Sequence, residues 1–507
     1  MKNFKKIALV AFFAACLTIG ILSRGIEILN GNYIFGFDHG REYLMTRDIV
    51  DYHDLRLIGT PLGAGSAGFQ GIFHGPLYYY LLAIPYVLFR GDPYGGVVLM
   101  FFFGLCALGV SFLLGKRLFT TNWAIVLTSL LAISPPLIAQ SRFIWSPYPS
   151  TLFSLIAFYC IVRIREKKIW VFLSAFFSAL VYHFEFAIAV PLVITLLVYS
   201  TFVLKEKSKK HYALIFSGFI TAALPMIIFE IKHNFMAIHG VISYIKTPGR
   251  NESANILTYQ IDHLGSFLFN VVDSLPFHDN IPALLFLTTF LIALMYSLYK
   301  NKKVDSFIIY LLLLPLVTFL SLFMLRNTVY QYYLFHLVVA YNILFVFILQ
   351  KIKLKTIIRQ YALLPFVLLL TVSVLLSVPK FFKMITYDIS DYGGDAKIKG
   401  KLDAVDYVYK DAKSKDFGVL IFNPPVYTYP YDYLFYWRGK QKYGYIPPYE
   451  KKKVTYLIIE VDPYKPWSYE GWLQTVIKDG KVISTVTRPS GIIIQKRTYE
   501  NIQEEKN

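Results

Sequence analysis

Charged residues are scarce in this chain: Asp, Glu, Lys and Arg make up only 16% of its 507 residues, whereas hydrophobic residues make up 56%. So few charges exclude an ordinary water-soluble enzyme, in which about a quarter of all residues are charged. Cysteine is also rare, and Cys16, Cys106 and Cys160 lie singly inside apolar runs. Their positions offer no pairing or metal-binding spacing, so all three are expected to be small buried hydrophobic residues.

Long apolar segments are abundant instead, and they predict a polytopic membrane protein. The N-terminal Met-Lys-Asn-Phe-Lys-Lys and the apolar run after it resemble a signal peptide, but no small-residue cleavage site follows, so we expect a retained first span. The net charge of +19 does not indicate nucleic-acid binding, because many Lys and Arg residues stand in short runs between apolar segments. Cytoplasmic loops of membrane proteins carry such runs.

The basic clusters predict how often the chain crosses the membrane. If all of them are cytoplasmic, an even number of spans separates each from the next. Eleven spans satisfy this condition, with the N-terminus inside and the C-terminus outside. The predicted spans are residues 7–23, 97–114, 122–140, 148–163, 169–182, 186–204, 212–230, 281–299, 305–324, 332–350 and 360–378.

One further apolar segment, residues 76–90, does not fit this count. It is shorter than the roughly 20 residues that a span needs, and it contains Pro76 and Pro85. We therefore expect a helix on the outer membrane surface, within a large first external loop of residues 23–96. The cytoplasmic connections are too short to fold a nucleotide-binding domain.

A change of composition after residue 379 divides the chain into a membrane domain, 1–379, and a second domain, 380–507. A helical stretch at 397–412 is followed by strand-like runs at 417–422, 453–461 and 491–497, which predict a small extracytoplasmic α/β domain. Its Tyr-rich and Trp-rich loops, 427–437 and 464–472, suit either stacking on sugar rings or ordinary packing.

The most informative segment is FGFDHGREYLMTRD, residues 35–48, because it places Asp38 and Arg41 beside the membrane on the predicted outer face. Transfer of a sugar from a lipid phosphate needs a carboxylate that removes the acceptor proton and cations that hold the departing phosphate. Asp38 suits the first role and Arg41 the second. The alternatives are a helix N-cap for Asp38 and a local ion pair for Arg41. Glu42 and Asp48 are expected on the solvated face of the same helix.

Three features together resemble a known group of enzymes: the acid after the first span, the segment HGPLYYYL at 74–81, and the loop SRFIWSPYP at 141–149. They are similar to the membrane glycosyltransferases of the protein O-mannosyltransferase and lipid A aminoarabinose transferase families, which share the GT-C fold. The motifs cover roughly the first 210 residues, and the rest matches by topology. The resemblance implies a polyprenyl-phosphate sugar donor and Asp38 as catalytic base.

The same resemblance assigns donor or acceptor contacts to His74, before Pro-Leu-Tyr, and to Arg142. The chain departs from the family at His39, where protein O-mannosyltransferases have Glu, and at Ser146, where an Asp is common before Pro. These departures leave the sugar, the acceptor and any metal requirement open.

Further substrate-binding candidates follow from their positions near the membrane boundary. His183 and Glu185 lie at the tip of a tight hairpin, and polar residues at such positions are usually functional. Arg326 and Tyr330 precede the tenth span from outside, where a lipid phosphate would lie. A divalent metal held by His74, His183 and Glu185 is a weaker hypothesis, because their spacing matches no recognised metal motif.

These observations predict an inverting glycosyltransferase of the plasma membrane, with Asp38 as base. Its partners would be the bilayer, a polyprenyl-phosphate sugar and an envelope glycan, lipid or protein acceptor, without nucleic acid. A transporter or flippase of lipid-linked sugars is the alternative, but it would require internal repeats or helices broken at mid-membrane. A non-catalytic envelope scaffold is a third reading, and it would not need charged residues in four external loops.

Overall fold

The computed structural model of the chain is almost entirely helical up to residue 351. It describes residues 2–62, 71–246, 256–274, 283–300, 304–323, 328–351, 396–424, 427–462 and 464–499, with isolated positions between 352 and 395. The predicted span at 360–378 and the candidate Arg326 therefore lie outside the described residues.

Sixteen helices precede residue 352 in the described parts of the chain. They are α1 (Lys2–Arg24), α2 (Ile26–Asn30), α3 (Phe37–Asp51), α4 (Leu77–Leu88), α5 (Tyr94–Leu118), α6 (Thr121–Ala132), α7 (Pro135–Gln140), α8 (Ser150–Val162), α9 (Lys168–Leu180), α10 (Phe186–Val198), α11 (Lys209–Lys232), α12 (Met236–Lys246), α13 (Ile256–Asp273), α14 (Ala283–Lys300), α15 (Ser306–Leu322) and α16 (Phe335–Lys351). A 3₁₀ turn, Val181–His183, follows α9, another, Gln331–Leu334, precedes α16, and a π turn, Tyr199–Val203, extends α10.

Four of the described helical segments are long and apolar enough to cross a bilayer: Tyr94–Leu118, Phe186–Val203, Lys209–Lys232 and Gln331–Lys351. Shorter apolar helices accompany them, including Phe13–Arg24 and Ser306–Leu322. The prediction of an α-helical chain with several membrane-spanning helices is confirmed. The total of eleven spans and their orientation stay predictions.

Helix α16 forms the centre of the helical bundle. Every residue from Phe335 to Ile348 is buried, because α6, α8, α13, α14 and α15 pack around it. A helix that is apolar on all sides requires such surroundings. The hydrophobic core of the bundle is therefore built around the segment that was predicted as the tenth span.

Helix α13 lies between the predicted spans 212–230 and 281–299, where the span count predicts an external loop without a helix. Its 18 residues include Gln260, Asp262 and His263, so that no long apolar run marks it. One face nevertheless carries Phe267 and Val271 into the core of the bundle. An amphipathic helix of this kind is hidden from a search for apolar runs.

Helix α4 corresponds to the segment predicted to lie on the membrane surface. Its 12 residues are about 18 Å long at 1.5 Å per residue, which is too short to cross the hydrocarbon layer. Tyr78 and Leu82 are buried, whereas Ile84, Val87 and Leu88 are exposed. The helix therefore packs against α3 and α5 by one side and presents an apolar edge on the other.

The chain after residue 396 forms a small sheet flanked by helices. The helices are α17 (Ile398–Ala412), α18 (Tyr429–Arg438) and α19 (Ser468–Trp472), and the strands are β1 (Gly418–Phe422), β2 (Val454–Ile459), β3 (Lys481–Thr487) and β4 (Ile493–Thr498). The strand order is β1-β2-β4-β3, with β1 parallel to β2 and both other pairs antiparallel. The three predicted strand runs correspond to β1, β2 and β4. The more exposed β3 had not been predicted.

This C-terminal unit shares one hydrophobic core with the loop between α1 and α5. Tyr43 of α3 packs against Tyr433 of α18, with ring centroids 5.0 Å apart. The Tyr436 hydroxyl donates to Asp51 Oδ2 at 2.6 Å, and the Trp437 indole donates to the Arg90 carbonyl at 3.2 Å. The C-terminal unit therefore holds α3 in place, while the domain boundary at residue 379 stays a prediction.

Replacement of Gly40 is expected to separate α3 from α18. A Cβ atom at this position would lie 2.4 Å from the Pro430 nitrogen and 2.4 Å from the Tyr429 carbonyl carbon, so backbone would have to move. We expect Gly40→Val to lower the free energy of unfolding by about 1–3 kcal/mol, a typical cost of overpacking. Thermal unfolding in detergent would measure this.

Gly109→Val in α5 is the matched control, since a Cβ placed there meets no atom within 4 Å outside the nearby backbone of its own helix. An unchanged midpoint for Gly40→Val would show that the two helices do not meet as described.

Candidate functional site

The predicted reaction centre lies in the first two turns of α3. The helix begins at Phe37, with Gly36 as the N-cap residue, and His39 Nδ1 accepts the Gly36 N–H at 3.1 Å. Asp38 is thus the second residue of the helix and not its N-cap. The structure contradicts the capping alternative for Asp38 and leaves its carboxylate available for another role.

Asp38 and Arg41 form an ion pair, with 2.7 Å between Arg41 Nη2 and Asp38 Oδ1. The Asp38 side chain remains 34% exposed, whereas that of Arg41 is 15% exposed. The Arg41 guanidinium also lies 5.4 Å from the centroid of the Phe37 ring. An exposed carboxylate held beside a positive charge suits both proton removal and the approach of an anionic phosphate.

Glu42 is buried, which corrects the expectation that it lies on the solvated face. Its side chain is fully inaccessible, and its Oε1 lies 3.4 Å from Arg41 Nη2. Burial raises the pKa of Glu42 to about 7, although Arg41 and a neighbouring Ser146 hydroxyl oppose the shift. Asp48 is also largely buried, and it pairs with Arg47 and Arg56.

Two histidines beside this cluster are held neutral. Burial lowers the pKa of His39 to about 4, and the positive charges of Lys401 and Arg41 add to the effect. Burial likewise lowers the pKa of His74 to about 4, with Arg41 and His183 as further causes. Uncharged imidazoles near Arg41 can accept or donate hydrogen bonds, and they add no positive charge to the cluster.

Substitution of Glu42 by glutamine is expected to change how stability depends on pH. The raised pKa means that the folded state keeps a proton that the unfolded chain loses above about 4.5. The resulting stabilisation is complete below pH 4.5 and is lost as the pH rises through about 7. The wild type should therefore lose stability as the pH rises from 5 to 8, whereas Glu42→Gln lacks the ionisable group. Over this range the free energy of unfolding of the variant, relative to that of the wild type, should rise by on the order of 3 kcal/mol at most.

The measurement is the difference between the thermal unfolding midpoints of Glu42→Gln and the wild type, taken once at pH 5 and once at pH 8. Asp54→Asn is the control, because this carboxylate is 58% exposed. A difference for Glu42→Gln that is equal at the two pH values would contradict the burial of an ionisable group.

His183 joins three parts of the structure. Its Nδ1 accepts the Leu77 N–H at 3.2 Å, and its Nε2 lies 2.9 Å from the Ala222 carbonyl oxygen, to which it must donate. A Cβ atom at Gly75 would come within 2.2 Å of His183 Nδ1, so this approach requires glycine. His183 thereby fixes the start of α4, and both of its ring nitrogens are engaged.

Glu185 caps α10, since its Oε1 accepts the Ala187 N–H at 3.1 Å. It lies in the turn between two apolar helical segments, where burial raises its pKa to about 8. His74, His183 and Glu185 do not form a metal-binding group, and no cluster of three His, Cys, Asp or Glu side chains occurs in the described part of the chain. The metal hypothesis for these three residues has no geometric support.

Arg142 contacts Glu27, a residue that the sequence analysis had not singled out. Its Nε lies 2.9 Å from Glu27 Oε1 and 2.8 Å from Oε2, and its Nη2 also contacts Oε1. Both side chains are buried, at 7% and 1% exposure. Glu27 could have been recognised from its apolar neighbours in Ile-Glu-Ile-Leu, because a carboxylate buried among apolar residues needs a cationic partner.

Tyr330 belongs to an aromatic group at the start of α16. Its ring stacks on Tyr332 at 5.5 Å, and Tyr332 contacts Trp145 at 4.8 Å. Tyr330 is 52% exposed. The 3₁₀ turn Gln331–Leu334, which carries Tyr332, packs against α10.

In the structure, some of the predicted site residues contact one another, whereas others are engaged elsewhere. Asp38 contacts Arg41, and Arg41 lies within electrostatic range of His74. Arg142 is engaged with Glu27, and Glu185 caps α10. At the start of α3 the geometry offers the partly exposed Asp38 carboxylate beside the Arg41 guanidinium.

Comparison with solved structures shows which fold this is. The structure matches ArnT from Cupriavidus metallidurans, a lipid A aminoarabinose transferase, bound to undecaprenyl phosphate, with a TM-score of 0.56, 14% identity, and coverage of 96% of this chain and 97% of that chain. The apo form of the same enzyme gives a TM-score of 0.58 at 12% identity, covering 97% and 98%.

An archaeal enzyme shows the same architecture. The Archaeoglobus fulgidus oligosaccharyltransferase AglB, in complex with an inhibitory peptide and a dolichol-phosphate, has a TM-score of 0.50 at 14% identity, over 99% of this chain and 75% of that one. No protein-family model and no curated protein sequence matches the chain. The structural matches confirm the predicted GT-C fold, and at such low identity they show the fold alone.

Proposed function

We propose that this protein is a membrane glycosyltransferase that moves a sugar from a polyprenyl-phosphate donor to an acceptor on the outer face of the plasma membrane. The observation that carries the proposal is the Asp38–Arg41 pair at the start of α3, in which the Asp38 carboxylate is partly exposed. The fold supports it, because two enzymes that share this fold were solved with undecaprenyl phosphate or a dolichol-phosphate.

The reaction assigns a defined task to each group. Asp38 accepts the proton of the acceptor hydroxyl or amine as that atom forms a bond to the anomeric carbon of the donor sugar. The bond between this carbon and the phosphate oxygen breaks, and its electron pair leaves with the polyprenyl phosphate. Attack opposite the leaving group inverts the anomeric configuration, and Asp38 then releases its proton to water.

Arg41 is the cation that we assign to the departing phosphate. It lies beside Asp38, and a guanidinium can make two parallel hydrogen bonds to phosphate oxygens. Arg142 has its charge compensated by Glu27 in a buried pair, so we assign it to holding α2 against the loop after α7. Tyr330 and Arg326 keep their predicted role beside the lipid phosphate.

The test uses purified protein in proteoliposomes with radiolabelled undecaprenyl-phosphate sugars and a cell-envelope extract as the source of acceptors. The proposal predicts that the donor is consumed and that polyprenyl phosphate appears in equal amount. A transporter or flippase would instead move the intact donor between leaflets. Movement without consumption, for every donor tested, would overturn the proposed activity.

A further inference from the structure

Three aromatic rings form a shelf next to Asp38. Phe37 of α3 lies 5.2 Å from Tyr429 and 5.5 Å from Tyr427, measured between ring centroids. Tyr427 and Tyr429 stack on each other at 5.2 Å with an angle of 13° between their planes. We call Phe37, Tyr427 and Tyr429 the aromatic shelf.

The shelf differs from the other aromatic contacts between α18 and α3 in its exposure. Tyr431 and Tyr433 of α18 are completely buried, as expected of residues that only pack the core. Tyr427 is 55% exposed, and neither Phe37 nor Tyr429 is buried. Tyr427 therefore presents aromatic surface that packing among the described residues does not cover.

The shelf is also held in a fixed position relative to Asp38. Phe37 directly precedes Asp38 on α3, and the Arg41 guanidinium that pairs with Asp38 lies over the Phe37 ring. On the other side, the backbone at Tyr429 and Pro430 touches α3 where Gly40 leaves room for it. The aromatic surface and the carboxylate thus belong to the same junction between the first loop and the C-terminal unit.

We propose that the aromatic shelf binds a sugar ring of the acceptor, so that the acceptor of this enzyme is a glycan or glycolipid. A pyranose ring has an apolar face of C–H groups, which suits the electron-rich face of an aromatic ring, and hydroxyls around its edge. For transfer, an edge hydroxyl of the sugar stacked on the shelf must reach the carboxylate of Asp38, the residue that follows Phe37 on α3. This inference rests on the proposed function, because it takes Asp38 as the base that receives the acceptor proton.

The polar groups around the shelf favour a sugar over a purely apolar acceptor. Asp38 can accept a hydrogen bond from one hydroxyl, and Arg41 can donate to another. A lipid tail would offer neither charged group a hydrogen bond and would place their ion pair in an apolar environment, which has a cost in free energy. A sugar can both stack on the aromatic rings and form hydrogen bonds with the charged groups beside them.

The first experiment measures sugar binding without a donor. Methyl glycosides of glucose, galactose, mannose and N-acetylglucosamine, together with maltose and cellobiose, are added to the purified full-length protein in nanodiscs, and binding is followed by saturation-transfer-difference NMR. We expect at least one of these sugars to bind the wild type. Tyr427→Ala should weaken its binding roughly three- to tenfold, the range for loss of one aromatic contact.

Two further variants test whether binding depends on the aromatic rings themselves and not on the Tyr427 hydroxyl or on a loss of structure. Tyr427→Phe keeps the ring and should bind within about twofold of the wild type. Phe37→Leu keeps apolar bulk but removes an aromatic ring, and it should weaken binding in the same direction as Tyr427→Ala. Tyr464→Ala is the control, because Tyr464 is an 88% exposed aromatic residue of the same C-terminal unit, and it should not alter binding.

In the transfer assay, Tyr427→Ala should raise the KM for the acceptor roughly three- to tenfold, as for sugar binding, without raising the KM for the donor. Equal sugar binding by wild type and Tyr427→Ala, or no binding of any of the six sugars by the wild type, would overturn the inference. Sugar binding that depends on Tyr427, without any donor consumption, would leave the shelf as a sugar site and instead contradict the proposed glycosyl transfer.

Discussion

Asp38→Asn is expected to lower the rate of sugar transfer by roughly 10³-fold, within the range of 10²–10⁴ for loss of a general base. Asparagine has nearly the size and shape of aspartate, but its amide cannot accept the acceptor proton. The substitution also removes a negative charge near Arg41. The variant should therefore bind undecaprenyl phosphate at least as tightly as the wild type, so that the loss appears in kcat and not in the KM for the donor.

Asp48→Asn is the matched control on the same helix. Asp48 pairs with Arg47 and Arg56 and makes no described contact with Asp38. We expect its transfer rate to stay within about threefold of the wild type. A wild-type rate for Asp38→Asn would remove Asp38 from the mechanism, whereas weakened binding of undecaprenyl phosphate would show that it acts through the position of Arg41.

Arg142→Met is expected to be the most destabilising of the substitutions considered, by about 3–5 kcal/mol. It leaves the buried Glu27 carboxylate without its principal counter-charge, and breaking a buried ion pair from one side has a cost of this size. The double variant with Glu27→Leu and Arg142→Met removes both charges and should recover most of the loss. Thermal unfolding of the three proteins in the same detergent measures the effect.

An exposed ion pair provides the control for this comparison. Arg117 pairs with Glu166, and its side chain is 49% exposed, so Arg117→Met should cost no more than about 1 kcal/mol. If Arg142→Met were as stable as the wild type but had a higher KM for the donor, Arg142 would bind the phosphate, as the sequence had suggested. Our assignment of Arg142 to a structural pair would then be wrong.

Much of the helical bundle could be predicted because its signal is local. A run of apolar residues between basic clusters predicts a buried or membrane helix by itself, and α5, α11 and α16 all arise from such runs. Helix α13 could not be found in this way, since its apolar residues occupy one face only. Strand β3 was missed for a similar reason, because most of Lys481–Thr487 is exposed and lacks a continuous apolar run.

The candidate site was predictable only in part because pairings between distant residues leave no local pattern. Asp38 and Arg41 are three positions apart on one helix, and their ion pair follows from that spacing. Glu27 and Arg142 are 115 positions apart, and nothing local joins them. The burial of Glu42 depends on packing around α3 that the sequence of that helix does not reveal.

The contacts of His183 and of the aromatic shelf were also not predictable from the sequence, because they join distant parts of the chain. His183 was recognisable as a polar residue at a hairpin tip, but its partners Leu77 and Ala222 come from two other helices. Tyr427 stood out as one member of a predicted Tyr-rich loop, 427–437, most of which is helix α18 in the structure, and nothing indicated its position next to Phe37. Composition can indicate that a side chain has a role, whereas the role itself depends on which elements meet.

The most direct test of glycosyl transfer from a lipid-linked donor is a single turnover with enzyme in excess over one radiolabelled undecaprenyl-phosphate sugar. With the acceptor present, the wild-type protein should transfer the label from lipid to acceptor, and the new glycosidic bond should have the inverted configuration. Donor loss and product gain should share one rate constant, and Asp38→Asn should lower it by roughly 10³-fold. An intact donor after incubation with the wild type, or equal rates for both proteins, would contradict catalysis at Asp38.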